Sequence, residues 1–262
     1  MEMMGYIAAL FIGISLGLIG GGGSILTVPV LVYLFGVSPL MATSYSLFVV
    51  GSTSLVGTFD NINKGFIDFK TALLFGISSI VTVYVTRKLL IPIIPEHFII
   101  SGYHFSFSII TMVLFAILML IASVSMIQAK VVDPHKAHRK TNTGLLLLYG
   151  VGIGLITGFL GAGGGFLLIP ALVLLLQLPM RKAIGTSLLI ISFNSLVGFI
   201  GDIGHFQIDW VFLLIITAIA IAGVIAGGLL SRKIQGEKLR KGFGWFVLLM
   251  GIYILLKETV LA

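Results

Sequence analysis

Two glycine-rich stretches decide how this chain folds. Ile19 to Ser24 read I-G-G-G-G-S, and Leu160 to Phe166 read L-G-A-G-G-G-F. Consecutive glycines interrupt a helix, because glycine loses the most backbone freedom when it is held in one. Both stretches lie inside long apolar segments, residues 5–36 and 144–178. We therefore predict that each segment is a pair of helices broken at its glycines.

The two glycine stretches belong to a repeat that covers the whole chain. A shift of 141 positions places Gly22 and Gly23 on Gly163 and Gly164 without any gap. Other aligned residues are also of types that rarely match by chance: Gly13, Gly17 and Gly20 with Gly154, Gly158 and Gly161; Pro29 with Pro170; Ser54 with Ser195; and Asp68 with Asp209. The chain is therefore a duplication. Its first repeat is 1–129, a basic linker is 130–143, and its second repeat is 144–262.

The composition is that of a membrane protein. Apolar residues make up 58% of the chain and charged residues 10%, whereas a soluble domain carries about 25% charged residues. Apolar runs of about 20 residues, which can cross the bilayer as helices, recur along the chain. We predict an all-α polytopic membrane protein with elements at 5–36, 40–60, 69–90, 103–128, 144–178, 182–201, 209–231 and 242–257. Without cysteine, disulfides and thiolate metal sites are excluded.

The orientation of the glycine-broken segments has two solutions. Each segment either spans the membrane once or enters and returns on the same side. If both span, the Lys and Arg residues divide 9 to 7 between the two sides. If both return, 13 of the 16 share one side, and only Arg87, Lys88 and Lys257 lie on the other. Because positive loops face the cytoplasm, the count favours two inverted repeats, each opening with a re-entrant helix pair followed by three transmembrane helices.

The glycine breaks are the first candidates for a binding site. Peptide N–H groups at a glycine turn that opens a helix can hold an anion, although glycines in membrane helices also serve close packing. The candidate substrate-binding residues at the breaks are Gly21, Gly22, Gly23, Ser24, Gly163, Gly164, Gly165 and Phe166.

Polar residues of the second element in each repeat extend this prediction. Ser46, Thr186, Ser187 and Asn194 could line a cavity beside the breaks, although such side chains also bond their own helix. Asp60, Asp202 and His205 end these elements and are candidates for proton coupling, but solvated helix ends look the same in a sequence. Asp68 and Asp209 each precede a helix, as N-cap residues do.

Two matching motifs resemble a known family. The glycine break and its proline are followed by A-T-S-Y-S-L at Ala42 to Leu47 and by A-I-G-T-S-L at Ala183 to Leu188. The pattern resembles the sulfite exporter TauE/SafE family of bacterial permeases. The first repeat departs from it, with Ser44-Tyr45 where Gly-Thr is usual. The resemblance implies export of sulfite or small organosulfonates.

These observations predict a secondary transporter of a small sulfur oxyanion or organosulfonate in the bacterial plasma membrane. A passive anion channel is the alternative. The sequence has no H-E-x-x-H motif, no G-x-S-G motif and no P-loop lysine, so we expect neither an enzyme nor a cofactor. The expected partners are the bilayer and the anion but no nucleic acid. A homodimer is possible, but the sequence gives only weak grounds for one.

Overall fold

The computed structural model is almost entirely helical. It describes residues 2–94, 97–100, 103–128, 143–161, 163–205, 207–230 and 236–260. The helices are α1 (Glu2–Ile19), α2 (Thr27–Tyr33), α3 (Pro39–Asn63), α4 (Phe69–Val85), α5 (Ile91–Ile93), α6 (Phe107–Gln128), α7 (Thr143–Leu160), α8 (Gly165–Leu176), α9 (Met180–Asp202), α10 (Trp210–Leu230) and α11 (Gly236–Val260). A 3-10 turn, Gly21–Leu26, joins α1 to α2, and a π-helical turn, Thr86–Leu90, joins α4 to α5.

One short hairpin, which the sequence did not predict, is the exception among the described residues of this otherwise helical fold. Strands β1 (His97–Ile100) and β2 (Tyr103–Ser106) pair antiparallel, with Ile99 opposite His104. The helix that was expected to begin at residue 103 therefore begins at Phe107. The predicted linker 130–143 lies outside the described residues apart from its last position.

Five helices of the described chain are long and apolar enough to cross a membrane: Pro39–Asn63, Phe69–Ile93, Ile109–Gln128, Met180–Asp202 and Trp210–Leu230. The outer surface is also apolar, because large side chains such as Phe11, Leu73 and Val211 are 63%, 62% and 71% exposed. Such a surface is incompatible with water but suits lipid. The chain is a multi-pass membrane protein.

The chain departs from regular helix at both glycine stretches. Gly20, Gly161, Gly163 and Gly164 have φ angles between +65° and +79°, the left-handed region that glycine adopts without strain. After the first stretch the chain runs back along α1, since the ring of Phe35 packs edge-on against Tyr6 with centroids 5.3 Å apart. The predicted interruption of both long apolar segments is thus observed.

Helices α3 and α9 form the centre and run antiparallel. A Cβ placed at Gly51 would lie 2.8 Å from Leu196, and one placed at Gly57 would lie 3.3 Å from Leu188. Residue numbers on α9 fall as those on α3 rise, which is the order of antiparallel helices. Small residues at these points let the two backbones approach closely.

The opening helix of each repeat packs on the third long helix of the other repeat. Helix α1 lies along α10, where Gly13 and Gly17 meet Ala220 and Val224 in the same order. Helix α7 lies along α4, where a Cβ at Gly154 or Gly158 would lie 2.8 Å or 2.7 Å from Thr82 or Thr86. In both helix pairs the two helices run parallel, and glycines allow their close contact.

The loops before α4 and α10 carry matched contacts between the repeats. Asp68 caps α4 by accepting a hydrogen bond from Thr71 N–H, and Asp209 accepts one from Phe212 N–H, which confirms the N-cap prediction. The N–H of Asp68 donates to Thr186 Oγ1 at 2.9 Å, and that of Asp209 donates to Tyr45 Oη at 2.8 Å. Tyr45 and Thr186 occupy the same repeat position, so their hydroxyls play equivalent parts despite the difference in side chain.

Candidate functional site

The two glycine stretches touch each other at mid-height of the central helices. A Cβ placed at Gly21 would lie 2.7 Å from Cα of Gly165 and 2.5 Å from Ile191, which is near the middle of α9. A Cβ placed at Gly163 would lie 2.6 Å from Val50, which is near the middle of α3. Only glycine fits at this meeting point.

Two hydroxyls that have no hydrogen-bond partner in the described part of the chain lie beside the second glycine stretch. Gly163 lies beside Ser195, whose Oγ would be 2.9 Å from an added Cβ, and Gly164 lies beside Thr157. The hydroxyls of Ser195 and Thr157 are fully buried and have no hydrogen-bond partner among the described residues. A buried polar group without a partner costs free energy, so these two hydroxyls are candidates for contact with a ligand.

Asn194, which precedes Ser195 on α9, also has a buried polar side chain. Its Nδ2 donates to Ser79 Oγ at 2.6 Å, which links α9 to α4, and its buried Oδ1 has no partner in the described chain. The amide is therefore fixed in orientation by one bond. Ser79 and Thr157 were absent from the predicted site because each becomes polar lining only through the pairing of α4 with α7 and α9.

The other residues predicted to bind substrate differ in whether their polar groups already have a partner. Gly22 and Gly23 lie in the 3-10 turn, and Phe166 lies in the first turn of α8. Ser24 and Ser187 donate to carbonyl groups of their own turns, Gly21 O and Ile184 O. The hydroxyl of Thr186 is engaged with Asp68, whereas that of Ser46 is buried without a partner in the described part of the chain.

The three candidates for proton coupling have different environments. Asp60 forms an ion pair with Lys64 at the surface, and His205 is exposed. Asp202 is only 1% exposed. The alternative that both acids are solvated helix ends is therefore wrong for Asp202.

Asp202 forms a buried ion pair that the sequence analysis missed. Arg87 Nη1 donates to Asp202 Oδ2 at 3.0 Å and to Thr43 Oγ1 at 3.1 Å, and the Arg87 side chain is fully buried. The sequence placed Arg87 with Lys88 at the non-cytoplasmic end of the predicted element 69–90. The structure confirms that this element continues beyond Val85, through the π-helical turn, but it buries the Arg87 side chain instead of leaving it at a solvated helix end.

The fold and the central glycine contact define a class, that of multi-pass membrane proteins whose irregular backbone is buried at mid-membrane, as in many transporters. Comparison with known proteins identifies the family. The family model described as sulfite exporter TauE/SafE matches residues 6–254, and the chain belongs to this family.

Individual relatives agree with this assignment. A probable membrane transporter protein of Xylella fastidiosa is 28% identical, over 93% of this chain and 91% of its own length. The probable membrane transporter protein YunE of Bacillus subtilis is 29% identical, over 88% and 90%. A probable membrane transporter protein of Methanocaldococcus jannaschii is 26% identical, over 95% and 94%. No solved structure matches the chain. The protein is therefore a membrane transporter.

Proposed function

We propose that the protein is a secondary transporter that exports a small sulfur oxyanion or organosulfonate, such as sulfite. The observation that carries this proposal is the contact between Gly21 and Gly165, which brings both broken segments to one place between the repeats. The matching family is described as a sulfite exporter family, and this supports the class of substrate.

The proposal includes inverted repeats with re-entrant opening segments. Helices α3 and α9 are equivalent in the repeat and run antiparallel, which supports the inversion. The contacts of Phe35 with Tyr6 and of Gly23 with the Leu16 backbone support a return of the first segment to the side from which it entered. Inverted repeats with broken helices are a recurrent plan of secondary transporters, with the substrate at their interface.

The substrate site we propose lies at the second glycine stretch. The first-turn N–H groups of α8 and the positive end of its dipole favour an anion. The hydroxyls of Ser195 and Thr157 lie nearby, as does Asn194 Oδ1, which no described residue bonds. This Oδ1 suits a protonated oxygen or an amino group on the substrate. Hydrogen bonds without a fixed charge at the centre would bind an oxyanion weakly enough for release.

Transport in this scheme requires the two glycine stretches to separate. In the structure they are in contact, so a substrate enters only when one repeat moves relative to the other. Rocking of the repeats would then open the site to alternate sides. Coupling of this movement to protons through Asp60, Asp202 or His205 stays a prediction.

Flux of labelled sulfite into liposomes that contain the purified protein tests the proposal. We expect saturable flux and counterflow. We also expect Ser195→Ala to raise KM by roughly ten- to a hundredfold, because a charge-assisted hydrogen bond contributes roughly 1.5–3 kcal/mol. Ser123→Ala is the matched control, since this buried serine bonds only to Leu120 O in the described structure. Absence of saturable flux for sulfite and for every sulfonate tried would refute the substrate class. Single-channel currents would favour the anion channel.

A further inference from the structure

The buried Arg87 has a side of its guanidinium group that donates no hydrogen bond to any residue in the described ranges and so has donors to spare. Nη1 carries both observed hydrogen bonds, to Asp202 and Thr43, while Nε and Nη2 are buried and have no partner among the described residues. Nε and Nη2 form the edge of a guanidinium that binds two oxygens of one anion side by side. An intramembrane charge with unused donors is expensive and marks a functional position.

The ion pair lies where the two repeats and the second glycine stretch meet. Arg87 belongs to the first repeat and Asp202 to the second. Thr43, which accepts a hydrogen bond from Arg87, also contacts that stretch, since a Cβ placed at Gly161 would lie 2.5 Å from Thr43 Cβ. Arg87 itself is in a π-helical turn, a distortion of the helix that is frequent at functional sites. A movement that opens this end must rearrange the ion pair.

The other repeat lacks this feature. The repeat positions of Arg87, Asp202 and Thr43 are occupied by Gly228, Asn61 and Ile184. The Nδ2 of Asn61 donates to Gly57 O of its own helix. The charged pair therefore marks one end of the molecule, which is the non-cytoplasmic end in the proposed orientation.

We propose that Arg87 is a second anion-binding position, on the path between the central site and the non-cytoplasmic side. The substrate oxyanion accepts hydrogen bonds from Nε and Nη2 of Arg87 and replaces Asp202 as its counter-charge. The carboxylate of Asp202 occupies Arg87 when no anion is present and keeps that end closed. The inference rests on the proposed function for the direction of the path and for the identity of the anion.

Thermal unfolding of the purified protein in detergent tests this position. The probes are sodium sulfite and sodium methanesulfonate, with ionic strength held constant by sodium gluconate. Because a ligand that binds only the folded state raises its stability, we expect both probes to raise the unfolding midpoint of the wild type. In Asp202→Asn the competing carboxylate is gone, so the concentration for half of the effect should fall about tenfold.

Variants of Arg87 separate binding from structure. Arg87→Gln should abolish the anion-dependent part of the shift. The double variant Arg87→Gln with Asp202→Asn leaves no unpaired buried charge and is the form expected to fold if the single variants do not; it should also show no anion-dependent shift. Lys88→Gln removes a positive charge from the same turn and should respond as the wild type does. If the double variant keeps the wild-type response, or if Asp202→Asn does not bind anions more tightly, the proposal is overturned.

Sulfite flux distinguishes this inference from the proposed function. If the wild type shows Arg87-dependent stabilisation by anions but no saturable flux, the anion position stands and the transport proposal falls. If Arg87→Gln transports sulfite with the KM of the wild type, transport stands and the role of Arg87 is overturned.

Discussion

At the scale of single residues, the left-handed glycines are the most constrained positions. Gly163 has a φ angle of +67°, and an added Cβ would lie 2.6 Å from Val50. An L-residue in this conformation costs roughly 1–2 kcal/mol before any clash. We expect Gly163→Ala to lower the unfolding midpoint by several degrees and to reduce flux strongly. Gly152→Ala is the control, because Gly152 is helical with nothing within 4 Å, and it should be neutral or slightly stabilising. Equal unfolding midpoints and equal fluxes for the two variants would show that Gly163 is no more constrained than a glycine inside a regular helix.

The pair of Asn194 and Ser79 supports a second prediction. Ser79→Ala removes the acceptor of the buried Nδ2, and an unsatisfied buried donor costs about 1–3 kcal/mol. We expect the variant to unfold at a lower temperature than Ser123→Ala, in which a buried serine loses only a bond to its own helix. The same midpoint for both would mean that water satisfies Asn194.

Residue-scale features differ in how far the sequence can predict them. The breaks at Gly20–Gly23 and Gly161–Gly165 could be predicted, because consecutive glycines act locally. The burial of Arg87 could not, since an Arg-Lys pair at the end of an apolar run is typical of a solvated helix end and its partner Asp202 lies 115 positions away. One signal was available: Arg87 and Asp202 both depart from the repeat, whose equivalent positions hold Gly228 and Asn61.

At the scale of elements, the loops before α4 and α10 are held by equivalent bonds from opposite repeats. Thr186→Val removes the acceptor of Asp68 N–H, and Tyr45→Phe removes the acceptor of Asp209 N–H. We expect each to destabilise the fold by about 1 kcal/mol and the double variant by the sum, because the two bonds lie in different loops. Chemical denaturation of the four proteins measures this.

Matched substitutions outside these loops provide the controls. Thr217 bonds only to Leu213 O of its own helix in the described structure, and Tyr253 is half exposed. Thr217→Val and Tyr253→Phe should therefore change stability less than Thr186→Val and Tyr45→Phe. A strong departure from additivity would contradict the independence of the two loops.

The sequence predicts the positions of most helices, but it does not predict which helices pack against each other. Apolar spans carry little information about their neighbours, because lipid and protein present similar surfaces to Leu and Ile. The packing of α1 against α10 and of α7 against α4 depends on small residues such as Gly13 and Gly154. Such residues are equally compatible with other partner helices. The β1–β2 hairpin was missed because four-residue strands beside a long apolar run carry no clear periodicity.

At the scale of the whole molecule, the order of the contacts and the distribution of charge both support the orientation that we propose. Arg87 is buried, so only Lys88 and Lys257 are left from the three basic residues assigned to the non-cytoplasmic side. The positive charges of the loops are then even more one-sided than the sequence count suggested, which strengthens the case for re-entrant opening segments.

Cysteine labelling can test this orientation directly, because the chain contains no cysteine. Lys64 precedes α4 and Lys182 begins α9, and in the proposed orientation both face the cytoplasm. If each opening segment crossed the membrane once, the two positions would face opposite sides. We expect Lys64→Cys and Lys182→Cys to resist a membrane-impermeant maleimide in intact cells and to react in inverted vesicles. Ser38→Cys, in the exposed loop before α3, should react in intact cells and serves as the opposite control. Labelling of Lys64→Cys and Lys182→Cys from different sides would exclude inverted repeats. It would also exclude an arrangement in which the two glycine stretches enter the membrane from opposite faces.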